Sequence, residues 1–161
     1  MSDVAIGPDD PRAADVTALL GRHLELMRAT TPPELVFALD VDGLVHPSVT
    51  FCGARRDGVL LGVGALKELD PAHGELKSMH TAAAARGQGI GAAVLEHLIT
   101  LARRRGYARV SLETGSQDAF GPARALYARA GFEVCGPFAA YPDSGSSVFM
   151  TLPLDRPSQD L

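Results

Sequence analysis

The chain has 161 residues, of which 46% are hydrophobic and 21% charged. That is one ordinary domain, long enough to bury about 68–70% of its unfolded surface, and it excludes disorder, collagen and coiled coil as global descriptions. The net charge of −4 disfavours a nucleic-acid partner, and no apolar run approaches the roughly 20 residues that a membrane helix needs.

Met1-Ser2-Asp3-Val4 is acidic and lacks a basic-then-apolar leader pattern, so a cytoplasmic location is expected. Only Lys67 and Lys77 are lysines; the excess of arginine reads as coding bias. Cys52 and Cys135 form no C-x-x-C pattern, and both are expected to be reduced core thiols.

Asp3 to Ile6 predicts a short strand. Pro8-Asp9-Asp10-Pro11 predicts the start of a helix, with an Asp cap and Pro at the first helical position. Val16, Leu19, Leu20, Leu24 and Met27 recur at helical spacing, and Thr30-Thr31-Pro32-Pro33 ends that helix. Glu34 to Leu39 predicts a second short helix, and Asp40 to Pro47 a loop. Val49 to Arg55 and Val59 to Leu66 predict two strands joined at Asp57-Gly58, a hairpin dipeptide. Asp70 to Gly74 predicts a turn and Glu75 to Thr81 a third strand, so the three form an antiparallel meander.

Gly89 to Arg105 predicts the strongest helix, with Ile90, Val94, Leu95, Leu98, Leu101 and Ala102 in one stripe. Arg103-Arg104-Arg105 complements the helix dipole and Gly106 ends the helix, which explains the triple arginine without nucleic acid. Tyr107 to Glu113 predicts a strand, Pro122 to Ala130 a helix closed by Gly131, and Phe132 to Pro137 and Ser147 to Leu152 two last strands. Residues 1–153 make a single α/β (α+β) domain with a mixed sheet and helices on its faces; 154–161 form a polar tail.

Arg86-Gly87-Gln88-Gly89-Ile90-Gly91 lies between a strand and the best helix. Glycine lets backbone approach a ligand closely, and the loop and first-turn amides carry the positive end of the helix dipole, so the pattern fits a pyrophosphate. The residues after Gly91 are Ala92-Ala93, not the Lys-Ser/Thr of a nucleoside-triphosphate loop. Gly87-x-Gly89-x-x-Ala92 also meets the dinucleotide fingerprint, with Glu113 about twenty residues further on. Three features count against a nicotinamide enzyme: the spacer Ala82 to Ala85, the meander where a β-α-β unit is required, and too little chain after Glu113 to complete a doubly wound sheet.

The stretch Glu75-Leu76-Lys77-Ser78-Met79-His80-Thr81 followed by Arg86-Gly87-Gln88-Gly89-Ile90-Gly91 resembles the acetyl-CoA motif of the GNAT N-acetyltransferase superfamily. Leu126-Tyr127-Ala128-Arg129-Ala130-Gly131-Phe132 resembles that superfamily's second signature, Leu-Tyr-x-x-x-Gly-Phe. Ser111-Leu112-Glu113-Thr114-Gly115 and Ser147-Val148-Phe149-Met150 are similar to the bacterial YsnE-like subgroup. The resemblance spans roughly Val49 to Leu152. It implies the GNAT fold: a mixed, mostly antiparallel sheet of six to seven strands, helices on both faces, and a splayed central parallel pair, here Glu75–Thr81 and Tyr107–Glu113.

It further implies acetyl-CoA as co-substrate, with the pantetheine arm on free strand backbone around Met79, His80 and Thr81. The pyrophosphate would meet Arg86, Gly87, Gln88, Gly89, Ile90, Gly91 and Ala92. No metal is implied, and the five histidines are scattered; His80 taken alone reads as structural. Read from its own neighbours, Tyr127 is a core aromatic on a stripe with Ala123, Leu126 and Ala130; the resemblance makes it the general acid for the departing thiolate. The acceptor amine must lose a proton, because a lysine-like amine has a pKa of ~10.4. Glu75 matches the offset of a base glutamate in one branch of the superfamily, with Glu113 as its rival, or a water chain in place of either; a solvated strand-edge carboxylate is the bland alternative.

The expected function is therefore acetyl transfer from acetyl-CoA to a primary amine of a small molecule, amino acid or peptide, within a homodimer or a monomer. A catalytically silent acyl-CoA-binding domain is the alternative. Release of CoA with an acceptor present separates the two.

Overall fold

The computed structural model describes residues 3–32 and 41–154. The elements are β1 (Ala5–Pro8), α1 (Ala14–Thr30), α2 (Val41–Leu44), β2 (Val49–Arg56), β3 (Val59–Asp70), β4 (His73–Thr81), α3 (Ile90–Arg104), β5 (Arg109–Gly115), α4 (Gly121–Arg129), β6 (Glu133–Cys135) and β7 (Ser147–Pro153). Seven strands form one sheet in the order β1-β2-β3-β4-β5-β7-β6, and every neighbouring pair is antiparallel except β4 and β5. This is the mixed sheet with a parallel central pair that the sequence resemblance implies.

Strand alternation sends Phe51, Val63 and Ala65 to one face, where they pack with Val16, Leu19 and Leu20 of α1 and Leu44 of α2. Cys52, Leu66, Leu76, Leu112 and Met150 go to the other face, under Val94, Leu95 and Leu98 of α3. Ile99 is buried on α3, whereas Leu101 packs at the margin of the core. The hairpin dipeptide behaves as expected: Asp57 and Gly58 have φ of 53° and 80°, the pair of positive angles that a type I′ turn requires. Gly106, with φ of 79°, closes α3 as its amide and that of Tyr107 return to the carbonyls of Arg103 and Ala102.

Four readings need correction. Helix α1 begins at Ala14 and has no side-chain cap, because the Asp9 carboxylate is spent on Arg55, at 2.8 Å to Nε and 3.1 Å to Nη2. Asp10 instead accepts from the Arg12 amide at 2.9 Å in a local turn. The loop 40–47 contains the short helix α2. Cys135 is only half buried, since β6 is a three-residue edge strand; Cys52 is the core thiol. The turn before β4 is confined to Pro71 and Ala72, so His73 and Gly74 are already strand. The second helix expected over 34–39 lies outside the described residues, as does the tail from 155. Leu154 is buried and its amide bonds the Ala108 carbonyl at 2.8 Å.

Gly64 sets how closely α3 lies on the sheet. A β-carbon there would stand 2.6 Å from Met79 Sδ, 2.7 Å from Val94 Cγ1 and 3.0 Å from Leu98 Cδ1. Gly64→Ala is therefore expected to destabilise the fold by about 1–3 kcal/mol through overpacking. Urea denaturation checks this; an unchanged midpoint would mean that α3 rises without cost.

Candidate active site

The parallel pairing of β4 and β5 runs only from His73↔Arg109 to Leu76↔Leu112. Both strands continue, to Thr81 and Gly115, without pairing again. The cause of the divergence lies in β4. Its register against β3 jumps from Ala65↔Lys77 to Val63↔His80, which inserts one extra residue, and Ser78 takes φ of 57°. A bulge of this kind bends its strand and re-aims the residues beyond it. The β5-facing backbone of residues 77–81 is left with no strand partner among the described residues.

A cavity of about 710 Å³ occupies the gap. One end reaches the turn before α3. Gly87 and Gly89 have φ of 78° and 79°, a region closed to most side chains, and no atom lies within 4 Å of where their β-carbons would stand. The first intrahelical bond of α3 runs from Ala93 to the Gly89 carbonyl, so the amides of Ile90, Gly91 and Ala92 have no acceptor within the helix. Arg86 is exposed beside them. The Gln88 side chain turns to the protein, with Oε1 accepting from Arg56 Nη1 at 3.2 Å, and so braces the loop against β2.

Met79, His80 and Thr81 line the middle of the cavity, and the buried Ser78 hydroxyl lines it without a hydrogen-bond partner among the described residues. Tyr127 on α4 also lines it. Its ring meets Phe132 edge-on, with centroids 5.9 Å apart. Burial raises the phenol well above its ordinary value, which keeps it protonated at neutral pH.

The α1 side of the cavity holds the titratable groups. Glu75 is 2% exposed. Its Oε2 accepts from Lys77 Nζ at 3.2 Å and from the Tyr141 hydroxyl, and Lys77 Nζ also donates to that hydroxyl at 2.6 Å. Glu113 lies just past the last parallel pair, and its Oε2 accepts from Ser147 Oγ at 2.7 Å. Burial raises the Glu113 carboxyl; the Ser147 hydrogen bond and the Lys77 charge act the other way. His23 of α1 and His80 share a hydrogen bond, Nδ1 to Nδ1, at 3.2 Å, and burial lowers each to about 4, so both rings are neutral at pH 7.

The structure thus brings Glu75, Met79, His80, Thr81, Arg86, the glycine loop and Tyr127 around one cavity. Lys77, Tyr141, Ser147, Ser78 and His23 are additions that sequence reasoning missed. Lys77 carried a signal, as one of two lysines in the chain. Tyr141 carried none: it sits in a Gly/Pro/Ser-rich connection and reaches Lys77 only through the fold. Among the described residues no cluster of His, Cys, Asp and Glu could hold a metal, and no helix is long and apolar enough to cross a membrane.

A sheet opened between two parallel strands, with a bare helix end at one mouth of the gap, is the architecture of an acyl-CoA-type transferase. Residues 17–132 match the family model described as acetyltransferase (GNAT) family, and the chain belongs to that family. It is 48% identical over 143 residues to the uncharacterized N-acetyltransferase YsnE of Bacillus subtilis (strain 168), covering 89% of this chain and 95% of that one. A structure from Klebsiella pneumoniae assigned as an acyl-CoA N-acyltransferase superposes with a TM-score of 0.77 at 29% identity, covering 94% of this chain and 98% of that one. A GNAT family acetyltransferase from Elizabethkingia anophelis, with acetyl-CoA bound, has a TM-score of 0.69 at 20% identity over 94% of this chain and 98% of that one, and so shares the fold.

Proposed function

We propose that the protein is an N-acetyltransferase that uses acetyl-CoA and passes the acetyl group directly to a primary amine. The observation that carries this reading is the cavity through the strand gap, with amides free of intrahelical acceptors at one end and a half-buried carboxyl, Glu113, at the other. The family membership supports it, as does the acetyl-CoA bound to the Elizabethkingia relative.

The residues present suit such a ligand. Its pyrophosphate would meet the amides of Gly87 to Ala92, with Arg86 beside them. The β5-facing backbone of Met79 to Thr81, past the last pair with β5, would bond the pantetheine amides, and the Ser78 hydroxyl, without a partner among the described residues, is a further donor. When bound, acetyl-CoA supplies the acetyl group as a thioester. The remaining work belongs to the protein. Glu113 would take one proton of the acceptor ammonium, a C–N bond would form as the C–S bond breaks, Tyr127 would give its phenolic proton to the departing sulfur, and the second proton shed by the nitrogen as the amide forms would restore the phenol.

Between the two candidate bases we assign Glu113. Glu75 holds its Oε2 on Lys77 and Tyr141, whereas Glu113 is tied only to a neutral hydroxyl among the described residues and has its basicity raised by burial.

The loop is tested by acetyl-CoA binding. At about 100 Kd a ligand bound only to the folded state adds ~2.7 kcal/mol, a rise of roughly 5–10 °C in Tm for a chain of this size. Gly89→Asp is expected to abolish the rise, because it sets a negative charge at the bare helix end. Asp is among the side chains that tolerate positive φ, so the fold should survive. An equal rise in both proteins would refute the assignment of this loop.

A further inference from the structure

Among the described residues lining the cavity, three carry a permanent positive charge: Lys77, Arg86 and Arg129. Arg86 opens the glycine loop. Arg129 lies one helical turn beyond Leu126, whose Cδ2 would be 3.3 Å from a β-carbon at Gly91, so it belongs to the same end. Lys77 stands at the opposite, α1 end. Its side chain is 8% exposed, and two of its three donors go to Glu75 Oε2 and to the Tyr141 hydroxyl. Tyr141 closes the triangle by donating to that same carboxylate oxygen.

An ammonium compensated in this way has little field left for a second anion. A carboxylate brought beside it would also be pressed against Glu75 and Glu113, at the low dielectric that strengthens such repulsion. Glu113, by contrast, is hydrogen-bonded among the described residues only by the neutral Ser147 hydroxyl; Lys77 acts on it at longer range without a bond, so the carboxylate can take a cation. The surrounding wall is Leu26 and Met27 of α1, the Tyr141 ring and the uncharged His23–His80 pair.

We propose that Glu75 is a specificity-determining residue: by occupying Lys77 it makes the acceptor site one for a primary amine on an apolar body, with no carboxylate beside the amine. This rests on the N-acetyltransferase reading above. It assigns the amine's ammonium to Glu113, its apolar body to the wall of α1 and Tyr141, and to Glu75 the rejection of free amino acids.

The test compares two sets of acceptors, each with three members. One set is leucine, leucinamide and 3-methylbutylamine; the other is phenylalanine, phenylalaninamide and 2-phenylethylamine. Thiol release from acetyl-CoA is followed at one pH for all six, with kcat/KM referred to the ammonium form of each acceptor. The amine and the amide are expected to exceed the amino acid in kcat/KM by about 10²-fold or more in each set. Glu75→Gln leaves the Lys77 charge uncompensated, and the preference for amide over amino acid is expected to fall at least about tenfold. Because the preference is a ratio measured on one preparation, partial misfolding or a general loss of rate cancels. Should Glu75→Gln fail to fold, the wild-type sets decide alone. Amino acids turned over as well as their amides by the wild type, or an unchanged preference in a folded Glu75→Gln, would overturn the proposal and leave N-acetyl transfer standing. Thiol release with none of the six would overturn both.

Discussion

Tyr127→Phe is expected to lose roughly 10²-fold in kcat while binding acetyl-CoA with wild-type affinity. The hydroxyl is the only part of the side chain that can give up a proton, and general acid help is typically worth about 10²–10⁴. The low end applies because a thiolate is already a fair leaving group. The substitution is otherwise mild. The ring keeps its edge contact with Phe132, and the hydroxyl has no hydrogen-bond partner among the described residues, so its loss orphans nothing. Stability should therefore stay within a few tenths of a kcal/mol. Burial holds the phenol protonated through the whole working pH range, so the wild-type rate should show no limb from this group at neutral pH. Turnover number and acetyl-CoA affinity measured on the same variant decide the matter. Full activity would return Tyr127 to the role of a core aromatic.

Glu113→Gln should cost about 10²–10³-fold at neutral pH, the expected size for a general base. The sign of its pH dependence comes from the direction of the shift. A base with a raised pKa is protonated as the pH falls, so wild-type kcat/KM should drop on the acid side, at a higher pH than an ordinary glutamate would give. Glu113→Gln removes that limb. The acceptor's own deprotonation then governs the rate, so the variant should climb about tenfold per pH unit toward ~10.4 and the deficit should shrink. Glutamine preserves the shape of the site and still accepts from Ser147 Oγ. A deficit constant with pH, or none at all, would transfer the proton to Glu75 or to solvent.

The local readings that held are those in which a few neighbouring residues decide the conformation. Asp57-Gly58 fixes a hairpin because both positions adopt positive φ. The helix after the glycine loop was legible because its apolar stripe has a period of its own and Gly106 stops it. The cap expected at the start of α1 failed for the opposite reason: Asp9 had a partner 46 residues away, Arg55, that no local pattern announces. Cys135 was read as core from its apolar neighbours, and a strand of three residues at the sheet edge left it half exposed.

The candidate site divides along the same line. By itself the sequence determined the glycine loop, the amphipathic α3, the Leu-Tyr-x-x-x-Gly-Phe segment and hence the family, because each is a short-range pattern of glycine freedom, helical period or motif. The tertiary structure alone decided where β4 leaves β5, since that depends on one extra residue in the register with β3. It alone decided how each carboxyl is held: Glu75 and Glu113 look alike as letters, but Tyr141, 66 residues beyond Glu75, folds back to hydrogen-bond Glu75, whereas Glu113 accepts from Ser147. A charge acquires its chemistry from the dielectric and the partners around it, and those are set by contacts between residues far apart in the chain.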